Sequence, residues 1–115
     1  EIDMHCVKII YPRTADTFFD FDHYFKVHLP LALGAIDSYA EVTRLEVDKG
    51  EGGMTGESDL PYHCICSVYF DNADGCAGFR KLFATPEDGQ PVADDIPNYT
   101  NTAAEFQFSE TVQYR

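Results

Sequence analysis

The run Tyr62 to Phe70, YHCICSVYF, is apolar at both odd and even positions, and this constrains the fold more than anything else in the chain. Successive side chains of a strand point to opposite faces, so a strand without a wet face belongs in the middle of a sheet, covered on both sides. Met4 to Tyr11, MHCVKIIY, has the same β-branched and apolar character, ends at Pro12 and reads as a companion strand. A chain of 115 residues supports one core, so residues 1–115 are read as a single domain.

The remaining elements follow from period and punctuation. Asp20 is placed to cap a helix whose stripe is Phe21, Tyr24, Phe25, His28, Leu29 and Ala32, with Gly34 as the expected stop. Tyr39 to Asp48 alternates well enough for an edge strand with one wetter face. Lys49 to Asp59, with four glycines, reads as a mobile hairpin loop; its G-G-M-T-G stretch lacks the lysine and following helix of a phosphate loop. Ala73 to Ala84 has helical spacing up to the break at Pro86, and Glu87 to Asp95 reads as a short irregular helix ending at Pro97. Ala103 to Tyr114 alternates as a last strand. The order is β-α-β-β-α-β, an α+β ferredoxin-like arrangement with a four-stranded antiparallel sheet. Two helices cover one face of such a sheet. Because the first and third strands are apolar on both parities, a second copy is expected to cover the other, making a homodimeric α+β barrel with a pocket between each sheet and its own helices.

Charge narrows the partners. Eight Lys and Arg against 20 Asp and Glu leave a net charge of -12, which repels phosphate backbones and anionic membranes. No nucleic acid and no membrane partner is expected, and the apolar runs are far shorter than the ~18 to 20 residues of a bilayer span. The acidic start Glu1-Ile2-Asp3-Met4 lacks the positive region of a secretory leader; residues 1–3 read either as native or as an appended remnant. Cys6, Cys64, Cys66 and Cys76 contain no C-x-x-C pair and suit buried free thiols in a reduced cytoplasm, although an even count also allows disulfides.

Chemistry points first to His28. Pro30 cannot donate to the Lys26 carbonyl and is expected to bend or end the helix there, tilting His28 inward among Phe21 and Tyr24. An imidazole titrating near neutrality against an apolar wall suits acid/base work, and equally a core histidine bonded to a free carbonyl. His63, near the start of the central strand beside Tyr62, is placed to reach a cleft mouth. His23 and His28, five apart, lie about 140° apart on an α-helix and make no metal pair. With His5 on a separate strand, no metal site is expected. Asp22, Asp94 and Asp95 are each able to orient a histidine, but acids are so numerous that any one reads first as a solvated charge. Tyr11, Tyr62, Tyr69 and Tyr99 suit an aromatic-walled pocket or simply core.

Taken together, Tyr11-Pro12, Phe21-Asp22 with Tyr24-Phe25, His28-Leu29-Pro30-Leu31, Pro61-Tyr62-His63, Val68-Tyr69-Phe70 and Asp95-Ile96-Pro97-Asn98-Tyr99-Thr100 resemble the EthD-like family, named from ethyl tert-butyl ether degradation. The resemblance implies a dimeric α+β barrel, in a superfamily that includes muconolactone isomerase, cofactor-free quinone-forming monooxygenases and polyketide cyclases. It matches the family pattern at His28 with Pro30, Tyr62 with His63, and Asn98 with Tyr99. It implies a cofactor-independent enzyme of catabolism or polyketide tailoring, an isomerase, cyclase or monooxygenase-like activity working by proton transfer on a small aromatic or enolisable metabolite. His28 is then the acid/base, Tyr11 or His63 polarises an oxygen, and Phe21, Tyr24, Tyr62, Asn98 and Tyr99 hold substrate. The alternatives are a binding protein delivering a hydrophobic metabolite to an oxygenase, and haem binding through a histidine. No flavin or nicotinamide fingerprint is present.

Overall fold

The computed structural model describes residues 4–115; Glu1 to Asp3, and with them the reading of the acidic start, lie outside the described residues. Strands β1 (Met4–Pro12), β2 (Arg44–Lys49), β3 (Tyr62–Phe70) and β4 (Glu105–Thr111) form one antiparallel sheet in the order β2-β3-β1-β4. The two doubly apolar strands are the central pair, as two-sided burial requires. β3 has the predicted bounds. β2 is an edge strand but shorter than predicted. Tyr39 and Ala40 close a turn onto the Ile36 carbonyl, and pairing begins only where the Thr43 N–H reaches the Tyr69 carbonyl.

The helices are α1 (Phe21–His23), α2 (Leu29–Ile36), α3 (Ala73–Ala84) and α4 (Pro86–Asp95). Asp20 caps α1, its carboxylate accepting from the His23 N–H at 3.2 Å. Between α1 and α2 the chain does not break. Tyr24–His28 is a π-helical turn closed by the Leu29 N–H on the Tyr24 carbonyl. The expected break at Pro30 is thus corrected: Pro30 lies in the first turn of α2, and the wider turn before it absorbs the bond it cannot make. Gly34 is not the stop either, since the helix runs on to Ile36. α3 lies close to the chain because Gly75 and Gly78 have no side chain: a Cβ there would strike the Phe70 ring and the Tyr39 carbonyl. The glycine-rich segment is folded into a tight turn in which Asp59 accepts from the Thr55 amide and hydroxyl at 3.0 and 2.8 Å.

The core lies between sheet and helices, with Val7, Tyr11, Cys64, Cys66, Val68 and Phe70 facing Tyr24, Ile36, Phe79, Leu82 and Tyr99. The opposite sheet face carries Cys6, Lys8 and Ile10 beside Ile65, Ser67 and Tyr69, and is less apolar than the strand patterns predict. Lys8 Nζ lies along it, donating to Ser67 Oγ at 2.8 Å, and Arg44 stacks 4.3 Å from the Tyr69 ring centre. All four cysteines are free and buried. Among the described residues, no helix is long and apolar enough to cross a membrane.

Candidate active site

A cavity of about 320 Å3 opens between sheet and helices. Its wall is apolar, with Ile9, Leu45, Val68 and Phe106 from the sheet and Leu29, Leu33, Phe79 and Leu82 from the helices. The lining residues that carry polar side-chain groups are His28, Tyr11, Tyr24, Tyr99 and Cys66.

The π turn explains how His28 comes to be there. In an α-helix positions five apart diverge, whereas i→i+5 bonding returns position i+5 nearly to the side of i. His23 and His28 therefore face the same way and converge on one carboxylate. Asp95 Oδ2 lies 3.0 Å from His28 Nδ1, and Oδ1 lies 2.9 Å from His23 Nε2 and 3.0 Å from Asn98 Nδ2. An ionised carboxylate only accepts, so His28 carries its proton on Nδ1 and leaves Nε2 as a lone pair. The Tyr99 hydroxyl donates to that Nε2 at 3.3 Å and in turn accepts from the Tyr11 hydroxyl at 2.8 Å. The Tyr24 ring stacks on the imidazole, 14° from parallel.

His28 is 6% exposed. Burial lowers its pKa, and the Asp95 carboxylate opposes that shift without overcoming it, so the imidazole is neutral at pH 7. Burial pushes the Asp95 carboxyl up, but the bonds from Asn98, His23 and His28 outweigh it and hold the group below the usual carboxylate range. Burial raises the Tyr11 phenol to about 12 and raises Tyr99 and Tyr24 as well, so all three hydroxyls keep their protons. Burial likewise raises Cys66, which stays a thiol.

The connector Ala15 to Asp20 helps position Tyr99. The Asp20 N–H donates to the Tyr99 carbonyl at 2.7 Å, Thr100 Oγ1 donates to the Phe18 carbonyl at 2.7 Å, and Asn101 bonds Phe18 and Asp16. Phe19, which sequence reading passed over, sits among Tyr11, Tyr24 and Tyr99 with ring centres 5.0 to 5.3 Å away.

The other predicted site residues lie elsewhere. His63 is not on the cavity wall. It is the extra residue of a β-bulge, since Tyr11 pairs with Cys64 and Pro12 with Tyr62, and the bulge turns its ring onto Phe19. The Thr17 hydroxyl donates to the Thr14 carbonyl, so at 2.8 Å it accepts from His63 Nε2. Tyr62 is 37% exposed at the strand end. Phe21 packs on Phe19 and Phe25 outside the cavity wall. Asn98 also stands back from it, holding Asp95. Of the three aspartates, Asp95 is the one at the imidazole; Asp22 pairs with Lys26 on the surface and Asp94 accepts from Gln90. Among the described residues, no group of three or more His, Cys, Asp or Glu side chains is arranged to hold a metal ion.

A family model described as the EthD domain matches residues 12–103. The chain is 26% identical to an EthD-like protein of Ralstonia eutropha JMP134, covering all of this chain and 97% of that one with a TM-score of 0.80. An ethyl tert-butyl ether degradation family protein of Bacillus halodurans C-125 shares the fold at 18% identity, 95% and 99% coverage and a TM-score of 0.65. SnoaB, a cofactor-independent oxygenase of Streptomyces nogalater, shares it at 13% identity, 98% and 96% coverage and a TM-score of 0.58. No curated protein matches the chain.

Proposed function

This chain belongs to the EthD family, and on that footing we propose that it is a cofactor-independent enzyme moving a proton on a small aromatic or enolisable metabolite. The observation that carries this reading is a buried imidazole on the wall of an apolar cavity, held by Asp95 on one nitrogen and bonded to the Tyr99 hydroxyl on the other. His28 Nε2 takes a proton from a carbon beside a substrate carbonyl. The electron pair of the broken C–H bond moves onto the carbonyl oxygen, where the Tyr99 hydroxyl, backed by Tyr11, donates to the developing enolate. The imidazolium faces Asp95 until it returns the proton to another carbon, which restores the enzyme and isomerises the substrate. Asp95 and Asn98 act through His28 and are positioning residues.

The fold likeness to SnoaB supports a cofactor-free reaction in outline, and the four buried thiols support a reduced, cytoplasmic setting. We further propose that the protein works as a homodimer paired through the sheet face opposite the helices, where Ile10 and Ile65 lie side by side. Sedimentation at micromolar concentration tests the dimer; a monomer there refutes it.

One observation favours a second reading, carriage without chemistry. The His28 lone pair is already occupied by the Tyr99 hydroxyl, so the same cavity also suits a protein that holds a hydrophobic metabolite for a partner oxygenase. The deciding experiment follows loss of deuterium from the α-carbon of candidate aromatic ketones in water. Exchange that His28→Gln abolishes supports the enzyme. A metabolite retained through native purification and unchanged on prolonged incubation supports the carrier.

A further inference from the structure

We infer that the cavity is shaped for a neutral phenol of two fused rings, with its hydroxyl between His28 and Tyr99 and its far ring toward Phe83 and Phe106. This deepens the proposed function and rests on its assignment of the cavity as the substrate site. Size is the first argument. A cavity of about 150 Å3 with apolar walls takes one benzene ring, and the space here is about 320 Å3. One ring would leave half of it empty.

The polar atoms give the second argument. His28 Nε2 accepts, while the Tyr99 hydroxyl both donates and accepts. Tyr99 and Nε2 are bonded to each other in the structure, and a ligand hydroxyl replaces that one bond with two, giving its proton to Nε2 and accepting from Tyr99 on its oxygen. A carbonyl oxygen can take only the Tyr99 proton, and a hydrocarbon leaves the Tyr99–His28 bond as it is.

Charge is the third. Among the described residues, no Lys, Arg, Asp or Glu lines the cavity, and Asp95 stands behind His28 with both oxygens engaged. A carboxylate would find no cation inside, in a chain whose net charge is -12. Arg80 is the nearby cation, and it lies outside, its guanidinium 3.8 Å from the Phe108 ring centre.

The entrance supports the same shape. Phe83 and Phe106 line both the cavity and an outer hollow between α3 and β4, and they are 41% and 54% exposed. Two exposed aromatic rings there suit stacking on the far ring of a flat ligand.

Calorimetric titration of the whole protein with 2-naphthol, phenol, naphthalene and 2-naphthoate tests this. 2-Naphthol should bind at least tenfold more tightly than each of the others. In His28→Gln it should fall at least tenfold toward naphthalene, while naphthalene affinity stays the same, showing that the cavity has kept its shape. Equal binding of phenol and 2-naphthol overturns the size argument, tighter 2-naphthoate overturns neutrality, and equal binding of naphthalene and 2-naphthol overturns the hydroxyl contact. Deuterium loss from the α-carbon of aromatic ketones separates this inference from the proton-transfer reading. The stated selectivity without such exchange keeps the ligand class and refutes the transfer; exchange that depends on His28 without the selectivity does the reverse.

Discussion

Two histidines in this chain pack against the same aromatic cluster, and burial lowers the pKa of both. Their second partners separate them. His28 gives its Nδ1 proton to a carboxylate and keeps an unprotonated Nε2, which accepts from the Tyr99 hydroxyl on the cavity wall. His63 gives its Nε2 proton to a threonine hydroxyl whose own proton is already committed. The first arrangement leaves a base with a counter-charge waiting for the proton it takes; the second spends the reaching nitrogen as a donor and provides no counter-charge. Position on the fold is less informative than the partner on the far side of the ring.

The strongest way to break this comparison is to exchange each ring for an amide. His28→Gln should lower turnover by about 10²- to 10⁴-fold, the usual contribution of a general base, whereas His63→Gln should leave it within about twofold. Steady-state rates on any accepted substrate decide it. A large loss in His63→Gln with His28→Gln intact would reverse the assignment.

A smaller effect falls on Asp95→Asn. The amide keeps the shape but loses the charge that His23, Asn98 and His28 all donate to, at a cost of roughly 1.5 to 3 kcal/mol. For a domain of this size the thermal midpoint should drop by roughly 6 to 15 °C. The same substitution shifts the pH profile in a known direction. Burial holds the His28 pKa low and Asp95 opposes it. Wild-type turnover should therefore fall on acidification with a midpoint below the ordinary histidine value of ~6.5, and Asp95→Asn should move that acid limb lower still. A shift upward would mean that Asp95 does not face the base during turnover.

Part of this contrast was legible in sequence and part was not, for physical reasons. β3 and α3 have the predicted bounds because each shows a complete period between clear stops. β4 is shorter than its alternation, since pairing with β1 ends at Thr111. The π turn left no trace in a pattern read at 3.6 residues per turn, so His23 and His28 were placed on different faces when both reach Asp95. Pro30 was the signal that the helix was irregular there; what it did not show was that an added residue in the turn, rather than a break, accommodates it. Asp95 was hidden by abundance, one acid among 20. What distinguishes it is a tertiary contact across 67 residues, which no local spacing encodes. His63 is expected at a cleft mouth from its place near the strand end, and the bulge there, which has no sequence signal, turns its ring onto Phe19.

The smallest effect sharpens the contrast from the stability side. His63→Gln removes one partly buried hydrogen bond to Thr17, a loss of about 0.5 to 1 kcal/mol at pH 7. Because the folded pKa of His63 is below its unfolded value, the unfolded chain binds the proton more readily as pH falls below ~6.5. The contribution of the neutral ring is present above that pH and is lost as pH drops toward the folded pKa. Chemical denaturation of the two proteins should therefore show a gap at pH 7 that narrows by pH 5. A gap that widens instead would mean that His63 is held in its charged form by a group other than Thr17, and the distinction drawn between the two imidazoles would fail at that end.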